Sequence, residues 1–330
     1  MARATKFEEL NGFPRETITL SNWRTRPYSF WAFRNVAEMV RSSRIKTTTP
    51  SALPQVAENP ELLARHSISD LLARTETDSF ILSKNGQLVC EWHAAGVDRS
   101  DPHLIFSISK SITALMAGIL QDQGVLDPST LVGTLVPEAA DSAYADATVQ
   151  HLLDMRVSLD FDESYLSQEA YARYRRAMSW NPPSSEGNDE AMLSFLCSLQ
   201  KASGPHGGDH DYLSPNSDML GIVLERATGE RFPDLCARLL WQPLGATSDA
   251  YITVDPEGAP RTAGGVSCRP HDLLAIGQML INGGTANGKQ IVSPRWIADM
   301  QQNGDEGVWA RGTQASFLKT GRYRNNWYQV

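Results

Sequence analysis

The sequence predicts an α/β fold, a mixed domain of strands and helices interrupted by a long, mainly helical block. Three observations carry that reading. Residues 79–96, SFILSKNGQLVCEWHAAG, form two apolar-alternating arms around Asn85-Gly86, a dipeptide suited to a tight hairpin turn. A strand-like run, Leu104-Ile105-Phe106, then leads into an almost wholly apolar helix. From about 127 to 245 the pattern is helical with loops, and from about 264 it is mixed again. The expected organisation is a discontinuous α/β domain, 1–126 and 246–330, with an N-terminal wrap over 1–58, and a mainly helical domain over 127–245.

Residues 21–50 gather aromatic and basic side chains (Trp23, Tyr28, Phe30, Trp31, Phe33) ahead of the Thr/Pro-rich TTTPSALPQ. They read as a peripheral wrap and a linker. Residues 59–74, NPELLARHSISDLLAR, carry helical periodicity. Gly124 closes the apolar helix, because a glycine just past the last turn adopts the left-handed conformation without strain. The central block contains the helical segments TVQHLLDM, EAMLSFLCSLQ, NSDMLGIVLERATG and FPDLCARLLWQPLG. Beyond it, GGVSCRPHDLLAIGQMLINGG reads as a glycine-led helix and PRWIADMQQ as a short one.

Composition narrows the function. The chain has 330 residues, 41% apolar and 21% charged, which is ordinary for a folded protein with a real core. A net charge of −8 argues against nucleic acid and anionic membrane surfaces as partners. Residues 1–20 lack the apolar run of a secretory leader, and no apolar stretch approaches a membrane span of roughly 18–20 residues. The four cysteines, Cys90, Cys197, Cys236 and Cys268, are far apart and form no zinc or disulfide pattern. Four buried free thiols in a cytoplasmic protein is the expectation.

The chemistry is sought in LIFSISKSITALMAGIL, residues 104–120, where Lys110 and three serines interrupt an apolar run. Ser-x-x-Lys occurs at 43–46, 107–110, 198–201 and 316–319, so context must choose. Ser198 ends a helical pattern, where the negative dipole end would oppose an alkoxide. Ser43–Lys46 lies in a basic, solvated stretch, and Ser316–Lys319 leads into no helix. Ser107 alone opens an apolar helix, with Lys110 on the same face about 60° away. Free N–H groups at the first turn favour an anion, and burial favours the neutral amine that could remove the Ser107 proton. In the competing reading, Ser107 only caps the helix and Lys110 reaches out to solvent. A third group to pass the proton on is Tyr212, in HDYLSPNSDMLGIVLERATG; packing on the core is its plainer role.

Taken together, S-x-x-K at 107–110, Y-x-S at 212–214 and the following E-R-A-T-G resemble the serine β-lactamase-related family, which includes class C lactamases, D,D-peptidases and esterases. The resemblance is strongest to its nylon-oligomer branch, the 6-aminohexanoate-dimer hydrolases. It extends through SFWAFRNVAEMV (29–40), HLLDM (151–155), ITVD (252–255) and GGVSC (264–268). It implies a β-lactamase/transpeptidase-like fold, an antiparallel sheet flanked by helices plus a mainly helical domain. It also implies a cofactor-free serine hydrolase of small esters or amides, and leaves a homodimer open. By that resemblance Ser107 is the acylated nucleophile and Lys110 its general base. Tyr212 protonates the leaving group, and Ser214 hydrogen-bonds near Lys110. The Ser107 N–H supplies half of an oxyanion hole, and Tyr165 and Trp180 line the pocket.

The chain also departs from that branch. Arg175 stands where an acid precedes the pocket tryptophan by five residues, and Ala263 stands where an asparagine precedes GGVSC. Arg175 would repel a substrate ammonium, which favours ester hydrolysis over cleavage of the 6-aminohexanoate dimer. The family's third motif, K-T-G or H-x-G on a core strand, is not matched by Lys319-Thr320-Gly321, which falls in a loop before NNWYQV. The expected strand would lie beyond Val330. The sheet would then keep an unpaired edge and complete only part of its oxyanion hole. His206-Gly207-Gly208 resembles an α/β-hydrolase oxyanion loop, but G-x-S-x-G is absent. His206, Asp209, His210 and Asp211 read as a polar loop rather than metal ligands. The alternatives are β-lactamase or D,D-peptidase activity on the same fold, and a non-catalytic penicillin-recognising-type binding module.

Overall fold

A computed structural model describes residues 6–48, 50–53, 59–163, 170–187 and 189–329. Its main sheet has four antiparallel strands in the order β1-β5-β6-β4. β1 is Ser42–Ile45, β4 is His103–Leu104, β5 is Ala250–Thr253 and β6 is Val266–Cys268. Between β1 and β4 in the chain come β2 (Ser79–Lys84) and β3 (Gln87–His93), a separate hairpin. Its turn is Asn85-Gly86, with φ 52° and 77°, the positive values that a two-residue hairpin requires.

Two expectations change here. Residues 21–50 are not a peripheral wrap. Ser42–Ile45 is an edge strand of the main sheet, paired with β5, and Trp23, Trp31, Ala32, Val36 and Val40 are buried in the main core. Aromatic residues lacking period-2 or period-3.6 spacing masked this. Residues 264–268 are likewise not the head of a helix. Val266–Cys268 is β6, wholly buried between β5 and β4, and the helix begins at Pro270. A buried three-residue strand leaves no alternation to detect.

The helices that shape the site are α1 (Ile108–Asp122), α2 (Ala170–Ala177), α3 (Ser214–Thr228), α4 (Pro270–Ile281), α5 (Pro294–Gln302) and α6 (Glu306–Arg311). α1 is buried nearly all round. It ends as expected at Gly124, φ 71°, where the Val125 N–H reaches Leu120 O at 2.9 Å and Gly124 N–H reaches Gln121 O at 3.0 Å. No strand lies between β4 and β5 among the described residues, yet one hydrophobic cluster runs through the helical block and the sheet alike. Cys90, Cys236 and Cys268 are buried, but Cys197 is only partly so, and all four thiols are free. No helix among the described residues is long and apolar enough to cross a membrane.

After α6 the chain forms a third hairpin, β9 (Arg322–Arg324) and β10 (Trp327–Gln329), following the small surface hairpin β7 (Thr285–Ala286) and β8 (Lys289–Gln290). Asn325 and Asn326, read from sequence as the start of a strand, are its turn, with φ 50° and 59°. This tip is a buried polar knot. Arg324 pairs with Asp154 at 2.7 Å and Asp299 at 2.9 Å, and Asn325 bonds Asp154, Asp299 and Gln150.

α1 is held in rotation by a close approach. Gly118 lies flat under the Trp296 indole of α5, so that a Cβ there would overlap the ring. Gly118→Ala is expected to lower stability by about 1–3 kcal/mol through overpacking. Urea unfolding measures it; an unchanged midpoint would show that the indole moves aside freely.

Candidate active site

The turn that delivers Ser107 comes straight from the sheet. Leu104 N–H bonds Phe33 O and Ile105 N–H bonds Val266 O, which anchors β4. Phe106 then takes φ 43°, a left-handed conformation uncommon for a bulky residue, and the helix starts at once with Ser109 N–H on Phe106 O at 2.9 Å. The result is an exposed Ser107 on a tight strand-to-helix turn.

The three serines separate cleanly. Ser109 is fully buried and its hydroxyl accepts the Val266 N–H at 3.1 Å, tying α1 to β6. Ser111 donates to Asn326 O at 2.9 Å, tying α1 to the hairpin tip. Ser107 makes no capping bond with its side chain. Instead its Oγ accepts from Lys110 Nζ at 3.1 Å. Lys110 is 2% exposed, so it does not reach out to solvent. Its shortest contact is the Ala263 carbonyl, 2.6 Å from Nζ.

That carbonyl is itself clamped. Ala263 N–H donates to Asp218 Oδ1 at 2.8 Å, and Thr262 Oγ1 donates to Ser217 O at 2.6 Å. Asp218 Oδ2 receives both the Arg261 guanidinium and the Tyr174 hydroxyl, and all three residues are buried. Asp218 is on α3 and Tyr174 on α2, so a buried ion pair fixes the loop between β5 and β6 to the helical block.

Tyr212 lies against the pair, with Lys110 Nζ 5.0 Å from the centre of its ring, within cation–π range. The Tyr212 ring stacks on Tyr328, centroids 6.2 Å apart at 20°, and meets Tyr323 edge-on at 6.3 Å. Beneath them His210, 2% exposed, packs on Trp309 and Tyr323 with neither ring nitrogen bonded. Burial, with Arg156 nearby, pulls the His210 imidazole down to about 4.

Ser214 was expected to bond near Lys110; its Oγ donates to Glu163 Oε1 at 2.5 Å and its N–H to the other oxygen of that carboxylate. Ser214 is the first residue of α3, whose free N–H groups attract an anion such as the Glu163 carboxylate. Burial pushes the Glu163 carboxyl up, while Lys110 and Ser214 pull it back. Glu163 was missed because nothing in DFDESY ties an acid to a serine some 50 residues later. Tyr165 lies outside the described residues.

Trp180 is a buried wall behind Phe106, with ring centres 6.0 Å apart and its indole N–H on Thr253 Oγ1 at 3.1 Å. Near it, Arg24 donates to Trp180 O, and burial plus the charge of Arg175 pull its guanidinium down to about 10. Lys319-Thr320-Gly321 lies in the loop before β9, as expected of a decoy. His206 pairs with Asp146 at 2.9 Å, Asp209 with Arg311 at 2.7 Å, and Asp211 with Thr313 at 3.2 Å. No cluster of three or more metal-ligating side chains occurs among the described residues.

An antiparallel sheet packed on a helical block, with a serine and a buried lysine one helical turn apart, defines a class of fold and site. The chain belongs to the beta-lactamase family, whose profile matches residues 64–319, and it is a hydrolase of that family. Among its relatives, the 6-aminohexanoate-dimer hydrolase of Paenarthrobacter ureafaciens is 31% identical over 313 residues, covering 94% of this chain and 79% of that one. The solved structure of a proposed 6-aminohexanoate-dimer hydrolase from Bacillus anthracis superposes with a TM-score of 0.82 at 25% identity, over 96% of this chain and 83% of the other. A family VIII carboxylesterase shares the fold at 18% identity, with a TM-score of 0.58 over 83% and 82% of the two chains.

The buried imidazole gives a stability prediction. Unfolded, a histidine protonates near 6.5; folded, His210 does so only near 4. Above about pH 6.5 stability is complete, and from there down to 4 the unfolded chain takes up a proton that the folded chain refuses. The loss is on the order of 3 kcal/mol by pH 4. His210→Phe is expected to flatten stability against pH in that window, followed by denaturant titrations; parallel curves for the two proteins would contradict it.

Proposed function

We propose that the chain is a serine hydrolase that cleaves small esters or amides through an acyl-enzyme on Ser107. The observation that carries this reading is the 3.1 Å contact between a buried Lys110 amine and the exposed Ser107 hydroxyl. In the first half-reaction Ser107 Oγ attacks the substrate carbonyl carbon while its proton passes to Lys110. The ammonium so formed is held by the Ala263 carbonyl at 2.6 Å and faces the Glu163 carboxylate. The bond to the leaving group then breaks, and the leaving oxygen or nitrogen takes the proton of Tyr212. Lys110 returns a proton to Tyr212, which restores both groups. Water repeats the sequence on the acyl-serine, so ester plus water gives acid plus alcohol with no cofactor consumed.

The substrate class follows from charge and from the relatives. Activity on 6-aminohexanoate dimer is expected to be weak, because Arg24 and Arg175 place positive charge beside Trp180 where an ammonium would be repelled. Small esters meet no such barrier. The four free thiols fit a reducing compartment, the cytoplasm.

A fluorophosphonate is expected to leave a mass adduct on Ser107, lost in Ser107→Ala. Lys110→Met should lower p-nitrophenyl ester turnover by about 10³-fold or more, with the fold retained by circular dichroism. Labelling of Ser107→Ala would sink the assignment. Turnover of nitrocefin well above that of esters would move the activity to β-lactams.

A further inference from the structure

We propose that the cavity beside Phe106 seats a substrate carboxylate, with Arg24 as the residue that selects it. The preferred substrates are then esters or amides that carry a carboxylate at the far end of an aliphatic spacer. This rests on the reading in which Ser107 is the nucleophile. The cavity holds about 470 Å³, and Phe30, Phe33 and Phe106 form its apolar wall. Phe106 directly precedes Ser107, so one end of that wall lies next to the nucleophile. Arg24 lines the same cavity. Its terminal nitrogens donate to Trp180 O and Asn181 Oδ1, both at 2.6 Å. The Trp180 carbonyl also accepts the buried Trp23 indole N–H at 3.0 Å, and the Trp180 ring backs Phe106. The guanidinium is therefore fixed relative to the turn that carries Ser107.

Charge decides the ligand. Two carboxylates line the cavity, and each already has a partner: Glu76 pairs with Arg26 at 3.0 Å, and Asp78 bonds His103 Nε2 at 3.1 Å. Arg24 differs. Its two bonded oxygens are neutral, and no carboxylate among the described residues pairs with it. Burial and the charge of Arg175 pull it down to about 10, so it is still charged at neutral pH and stands to gain from an anion. Guanidinium N–H groups remain beyond those two bonds, and a carboxylate is the planar partner they suit. The three phenylalanines lay apolar surface beside Ser107 for the spacer chain. A neutral ester of the same length gains only that apolar part.

Two matched pairs place the carboxylate on either side of the ester: p-nitrophenyl hydrogen adipate against p-nitrophenyl hexanoate, and 6-acetoxyhexanoate against hexyl acetate. The readout is the ratio of kcat/KM, charged ester over neutral. Arg24→Gln is expected to lower that ratio about tenfold or more in one pair, through KM, and Arg24→Lys to keep most of it. A ratio unchanged by Arg24→Gln in both pairs overturns the proposal. So does an equal loss in Arg24→Lys, which would assign the effect to the bonds with Trp180 and Asn181 rather than to charge. Binding is read without chemistry by calorimetric titration of adipate into Ser107→Ala, with and without Arg24→Gln. Binding weaker by about tenfold in the double variant supports the carboxylate site, and equal binding overturns it. If Ser107→Ala still hydrolyses the esters, the nucleophile reading fails, and the titration alone decides the site.

Discussion

Hiding one lysine head group from water is the constraint around which this molecule is arranged. An amine that gains a proton in a buried site is costly unless oxygen atoms wait for it. Here the waiting oxygen is the Ala263 carbonyl, and a single backbone carbonyl is only useful if its loop cannot drift. The Arg261–Asp218–Tyr174 set and the Thr262 hydroxyl supply that rigidity, binding the β5–β6 loop to α2 and α3. A fully buried ion pair is a weak source of stability, because desolvation offsets its attraction. Its value here lies in where it sets the Ala263 peptide.

The same logic extends to the aromatic side of the cleft. Tyr212 owes its place to residues about a hundred positions further on, in β9 and β10, and the polar tip of that hairpin is knotted to Asp154 and Asp299. Ser107 is therefore held by the sheet, Lys110 by the β5–β6 loop, and Tyr212 by the last hairpin. No one element carries the site.

The sequence disclosed what is local. Asn85-Gly86 named its hairpin, Gly124 its helix end, and the Ser107–Lys110 spacing its shared face, because each depends on residues a few positions apart. Tyr212 was found by its association with the Y-x-S element. What escaped detection is non-local or conformational. Glu163 became visible only when Ser214 at the start of α3 came beside it. Ser42–Ile45 looked like a linker because a short edge strand owes its state to β5, not to its own pattern. The positive φ of Phe106 has no sequence signature, since propensity alone would place glycine or asparagine there.

The hairpin tip also has a bearing on how the molecule is made. Ser111 and Lys110 touch Asn326 across sequence separations of 215 and 216 residues. Contacts of that span close slowly, because a large loss of chain entropy precedes any gain from them. Ellipticity and fluorescence can therefore recover during renaturation while Tyr212 still lacks its neighbours, which makes regained turnover a clock for the last step of assembly.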